Sequence, residues 1–175
     1  MLGFAPIRTR FSVSAATIAL LGAVACLCLQ PAAAGPQRSP LIPYVTVGDS
    51  IPASLTGAEG DPARGRAIIA DPRRGMCLLC HSGPFPENKF QGNIGPNLDG
   101  IGSRLSEGQL RLRIVDASKI DPNTIMPPFY RVDGLRRVPA AYSGKPVLTA
   151  VEIEDVVAYL MTLKSDTSHG GKTTR

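Results

Sequence analysis

The sequence predicts an all-α domain of short helices joined by long loops, and three observations predict it. Three stretches, near residues 61–70, 106–117 and 149–163, carry a capping residue ahead of a helical run. No part of the chain alternates strand and helix patterns. Eighteen glycines, 16 prolines and no tryptophan describe a loop-rich chain with a small core. A charged fraction of 19% against 43% hydrophobic residues excludes a disordered polypeptide.

The first 34 residues stand apart. Arg8 and Arg10 precede an apolar run over residues 11–29, and small residues follow at Ala32, Ala33 and Ala34. A basic start, an apolar middle and an Ala-x-Ala site make a signal peptide over residues 1–34, cleaved after Ala34. The run is long for such a segment, so an uncleaved membrane anchor is the competing reading. Cleavage removes Cys26 and Cys28 and leaves Cys77 and Cys80 as the mature cysteines. It also removes two basic residues and no acid, so the net charge falls from +5 but stays positive. Arg73, Arg74, Lys89, Arg104, Arg111, Arg113, Arg131, Arg136 and Arg137 are scattered along the chain. That distribution reads as a solvated mixed surface, and export argues against nucleic acid as a partner.

Residues 35–59 form a Pro-rich extended arm, because Pro36, Pro40, Pro43 and Pro52 forbid a long helix. A short edge strand is expected at residues 44–47. The domain proper spans residues 60–165. Its first helix opens with Asp61 as N-cap and Pro62 at the first helical position, and ends before Pro72. Glycines and prolines make residues 82–101 a loop. Ser106 caps the second helix, whose apolar face is Leu110, Ile114 and Val115. A turn-rich stretch and a long loop reach Pro146. Thr149 and Glu152 then form a capping box for the last helix, with Ile153, Val156, Val157, Leu160 and Leu163 on one stripe. Residues 166–175 are a polar tail expected to be disordered. Loops this long signal function or a missing partner, and a flat apolar prosthetic group would fill the thin core.

The string CLLCH, residues 77–81, carries the chemistry. A redox dithiol belongs near a βαβ pattern, which is missing here. A zinc site wants two ligand pairs, and beyond Cys77, Cys80 and His81 the mature chain has only His169 in the tail. A covalently held haem c fits best. Two thiols three apart reach adjacent vinyl groups, and a histidine directly after meets the iron. Export strengthens this reading, since haem attachment occurs outside the cytoplasm. For the sixth ligand, Met76 lies on the proximal edge and Met161 belongs to the last helix. His169 sits on the tail. Met126, in a loop stiffened by Pro127 and Pro128, is the candidate. In the string GPNL, the carbonyl of Pro96 can hold the other ring nitrogen of His81.

These pieces together resemble a class I cytochrome c: the helix before CLLCH, GPNL, the Met-Pro loop and the terminal helix EIEDVVAYLMTL. In that family the first and last helices cross, and Gly65 and Tyr159 stand in the matching places. The resemblance implies axial ligation by His81 and Met126. A narrower likeness covers residues 60–163. GNIGPNLDGIGSRLSEGQLR, DPNTIMPPFYRV and YSGKPVLTAVEIEDVVAYLMTL are similar to the SoxX family, the small monohaem subunit of the SoxAX cytochromes. That likeness implies a periplasmic heterodimer with a SoxA-like subunit, and a reaction joining thiosulfate to a cysteine of a SoxYZ-like sulfur carrier. The sulfur chemistry would reside on the partner. This chain would be a non-catalytic relay passing electrons to a soluble cytochrome c. A free-standing soluble monohaem carrier remains the alternative function. An oxidase- or peroxidase-like haem would need an open coordination position, which a bound Met126 closes.

Overall fold

The computed structural model describes residues 41–165. The leader, the start of the arm and the tail with His169 lie outside the described residues.

Helix α1 runs over Pro62–Ala70, and the Asp61 carboxylate accepts from the Ala63 and Arg64 N–H groups at 2.8 and 3.2 Å. A short 3₁₀ turn, Cys77–Leu79, carries the first half of CLLCH. Helix α2, Ile101–Arg104, falls in and just beyond the stretch read as loop. It forms through tertiary docking. Gly102 lies against the Leu160 and Met161 carbonyls, where a Cβ would come within 2.7 Å of each oxygen. Its N–H donates to Leu163 at 2.9 Å, and Lys164 Nζ returns a bond to its carbonyl at 2.6 Å.

Helix α3, Glu107–Asp116, starts on a capping box between Ser106 and Gln109. Helix α4, Ala150–Thr162, starts on the expected box between Thr149 and Glu152. Ile153, Val156, Val157 and Leu160 are all buried, and Leu163 packs against them. Full burial of each such side chain is worth about 1.5–3 kcal/mol, so this stripe anchors the domain.

Helices α1 and α4 cross at Gly65. A Cβ there would collide with the Asp155 carbonyl, so only glycine permits the approach. Tyr159 stands beside it, with its ring tilted 55° against Phe85 at 5.7 Å. Asp155 ties the crossing by accepting from the Asp61 N–H at 2.6 Å and from both arms of the Arg64 fork.

Two expectations fail. No strand forms at residues 44–47; a single antiparallel bridge between Val47 and Ser50 closes a tight turn over Gly48, whose φ is +58°. Val45 and Val47 are exposed, and among the described residues no neighbouring strand offers them a ladder. The chain then turns inward, and Ile51 and Leu55 enter the main core. Arg111, read as a surface cation, is 2% exposed. Its guanidinium meets Glu154 through bonds of 2.8, 3.1 and 2.9 Å and donates to the Ile51 carbonyl at 2.7 Å. Glu154 also accepts from the Leu55 N–H at 2.8 Å. One buried network thus joins residues 51–55 to α3 and α4.

Candidate functional site

The site is built by loops hung between α1 and α3. Met76 takes the left-handed conformation, with φ of +57°, and breaks the chain direction ahead of the 3₁₀ turn. The Cys80 and His81 N–H groups both donate to the Cys77 carbonyl, at 3.1 and 2.9 Å, which coils CLLCH into one compact turn. The following loop is laced back onto that turn. Gly92 donates to Leu78, Gly95 to Cys80 and Leu98 to Ser82, each at 2.8 Å. Gln91 pins the loop from inside, accepting from Gly83 and donating to the Phe85 and Asn88 carbonyls. Sequence reading missed Gln91, because nothing local distinguishes it from a solvated loop glutamine.

His81 sits in a cradle. Its Nδ1 lies 2.7 Å from the Pro96 carbonyl oxygen, and a Cβ on Gly95 would come within 2.5 Å of the imidazole ring. The bond orients the ring and leaves Nε2 free to ligate. Further along the chain, Thr124 Oγ1 accepts from the Met126 N–H at 3.2 Å. The chain then runs through Pro127 and Pro128 to Phe129 and Tyr130, whose N–H groups donate to the Ile114 and Val115 carbonyls of α3. Met126 is thereby held between a stiff dipeptide and a helix.

These segments enclose a cavity of about 480 Å³ whose walls include Cys77, Cys80, His81, Pro96 and Met126. An inner compartment of about 190 Å³ shares Cys77, His81, Pro96, Met126 and Phe129 and reaches down to Leu110, Val156 and Leu160. The five residues singled out from sequence therefore meet on one apolar space. Met161 is not on either wall. Met76 is, beside the cysteines.

Burial pushes the Cys77 thiol up to about 12, its backbone hydrogen bonding partly opposing and the neighbouring Cys80 adding to the rise. A thiol so held stays protonated at neutral pH, the opposite of what a redox dithiol uses. Among the described residues no three of His, Cys, Asp and Glu gather into a metal-binding cluster. The donor set instead suits a porphyrin: two thiols and an oriented imidazole, with a thioether sharing the same apolar walls.

The fold occurs in a known structure. The chain is similar to a chain of the crystal structure of SoxXA from P. pantotrophus, with 43% identity, a TM-score of 0.65, and coverage of 70% of this chain and 95% of that one. It belongs to the SoxX family. The all-α architecture is accordingly that of a class I cytochrome c. No family model and no curated protein matched the sequence. The cavity walls, which carry Cys77, Cys80, His81 and Met126, fit a haem.

Proposed function

We propose that this chain is the periplasmic electron-transfer subunit of a SoxAX-type complex, carrying one covalently attached haem c. The observation that carries the reading is the convergence of Cys77, Cys80, His81 and Met126 on one apolar cavity, with His81 Nδ1 already engaged by Pro96. Cys77 and Cys80 would anchor the group by thioether bonds, and His81 and Met126 would ligate its iron. Bound there, the haem supplies one-electron storage. The apolar walls exclude water, and the Pro96 carbonyl makes the imidazole more basic. Two ligands held by stiff backbone keep reorganisation small when charge moves.

Joining thiosulfate to a cysteine thiol releases two electrons and one proton. A SoxA-like partner would host that step on a SoxYZ-like carrier. This chain would take the electrons singly and hand them to a soluble cytochrome c. Leu79 and Ile94 line the cavity and are themselves exposed, so a haem held there would lie close to the surface, where a redox partner can approach.

The test is a pyridine haemochrome spectrum and an intact mass of the exported protein, with a pull-down of the co-expressed SoxA-like subunit. One haem c per chain and co-elution are expected. A colourless protein of bare polypeptide mass defeats the haem assignment. A haem-loaded protein that elutes alone leaves the free-standing carrier. Met126→Ala should lower the reduction potential and remove the methionine–iron charge-transfer band of the oxidised protein; an unchanged spectrum removes Met126 from the ligand set.

A further inference from the structure

The exit of the Met126 loop is zipped onto the end of α3 by consecutive pairs. The Phe129 and Tyr130 N–H groups donate to the Ile114 and Val115 carbonyls at 3.1 and 3.3 Å. The next pair along, Arg131 with Asp116, is made by side chains: Arg131 Nη1 stands 3.1 Å from Asp116 Oδ2. The main-chain links satisfy carbonyls that the end of a helix leaves without intrahelical donors. The side-chain link has no such origin. Asp116 is fully buried and ends the helix, where the dipole disfavours a negative charge. Ser118 donates to its other oxygen from N–H and Oγ–H, at 3.2 and 2.5 Å, which caps the 3₁₀ turn Ala117–Lys119. An asparagine would cap that turn as well and bury no charge. The arm covers the zipper: the Tyr44 ring lies 6.5 Å from that of Tyr130, whose hydroxyl accepts from the Ile42 N–H at 2.8 Å.

Resting on the assignment of Met126 as an iron ligand, we propose that the Asp116–Arg131 pair is a latch that sets how firmly the Met126 loop stays closed. Both halves of the latch adjoin the cavity. Ile114, Ala117 and Ile120, around Asp116, are wall residues, and so are Met126, Pro127 and Phe129, ahead of Arg131. Opening the pair leaves two main-chain bonds to hold the exit of the loop on α3. The contact is single-pronged. Nη1 alone reaches Asp116 and Ser118, Nε is buried without a partner among the described residues, and the Arg131 side chain is 35% exposed. The Arg111–Glu154 pair, by contrast, closes through three bonds with both groups buried. A single charged contact open to water on one side yields more easily than a buried fork. That suits a part that has to give. Asp116 is then a positioning residue, acting through Arg131 on a thioether that it does not touch.

Added imidazole reports the open loop. It reaches the iron only where the methionine has left, so its apparent affinity scales with the open fraction. The exported holoprotein and its variants Asp116→Asn, Arg131→Gln and Arg131→Lys are titrated with imidazole while the methionine–iron charge-transfer band of the oxidised protein is followed. Denaturant midpoints are measured in parallel. Asp116→Asn keeps a cap on the 3₁₀ turn and removes the charge. It and Arg131→Gln should bind imidazole about tenfold more tightly than the parent, with Arg131→Lys in between. Glu154→Gln, which weakens the Arg111 pair, should lower the denaturant midpoint and leave the imidazole affinity at the parent value. Haem-loaded Asp116→Asn and Arg131→Gln proteins with the parent affinity overturn the latch. So does a Glu154→Gln protein that frees the methionine as much, because the effect then follows global stability. Should one variant fail to hold haem, the others are read alone by the same criterion. A parent protein without the charge-transfer band overturns the Met126 assignment instead, and shows before any variant is made.

Discussion

The two faces of this domain are built on opposite terms. Where α1 crosses α4, and where residues 51–55 meet α3, contacts are closed by the chain alone: a glycine admits the crossing and buried carboxylates meet arginine forks. Around CLLCH and Met126 the chain instead surrounds an apolar space walled by the residues that would hold a cofactor. The difference teaches where stability and chemistry reside. Damage to the first face should cost folding free energy. Damage to the second should cost cofactor binding first and folding through it.

Removing both attachment thiols, Cys77→Ala with Cys80→Ala, should have the largest effect: loss of covalent haem and most of the helical circular dichroism. Full helicity in the colourless variant would show that the cavity face stands without its filling. Glu154→Ala comes next, since it strands the Arg111 cation in the core. A loss of about 3–5 kcal/mol by denaturant titration is expected, with the haem spectrum of surviving protein unchanged; a spectral change would mean that the two faces are coupled. Gly95→Ala should move the imidazole out of its cradle and alter the absorption and potential with a smaller change in unfolding midpoint. Thr149→Ala removes one side of the α4 capping box and should cost about 1 kcal/mol.

The smallest effect is acid sensitivity of the crossing. Burial alone would raise the Asp155 carboxyl, but hydrogen bonds from Arg64 and the Asp61 N–H outweigh it and hold the group below its ordinary value. A depressed carboxylate contributes stability that is complete above its unfolded value and vanishes as pH falls through the folded one. The loss should therefore appear below about pH 4, and Asp155→Asn should flatten the curve there.

The parts legible in sequence are those encoded within a few residues. Asp61–Pro62, Ser106 and Thr149 with Glu152 marked helix starts because a cap and its target lie on one turn. CLLCH and the Met-Pro loop were visible as motifs, and their residues share one cavity. What stayed hidden depends on distant partners. Arg111 is buried because Glu154, 43 residues on, and the Ile51 carbonyl, 60 residues back, receive it. Helix α2 forms because Gly102 meets the end of α4, 62 positions from Lys164. The expected strand at residues 44–47 had the right local composition but, among the described residues, no neighbouring strand to pair with.

The grip on His81 comes from a main-chain oxygen. Replacing Pro96 by any other residue still presents a carbonyl there, so side-chain substitution at that position cannot delete the bond. Reorienting the imidazole therefore requires displacing the backbone, and the one-atom margin at residue 95 is the place where that displacement is easiest to force.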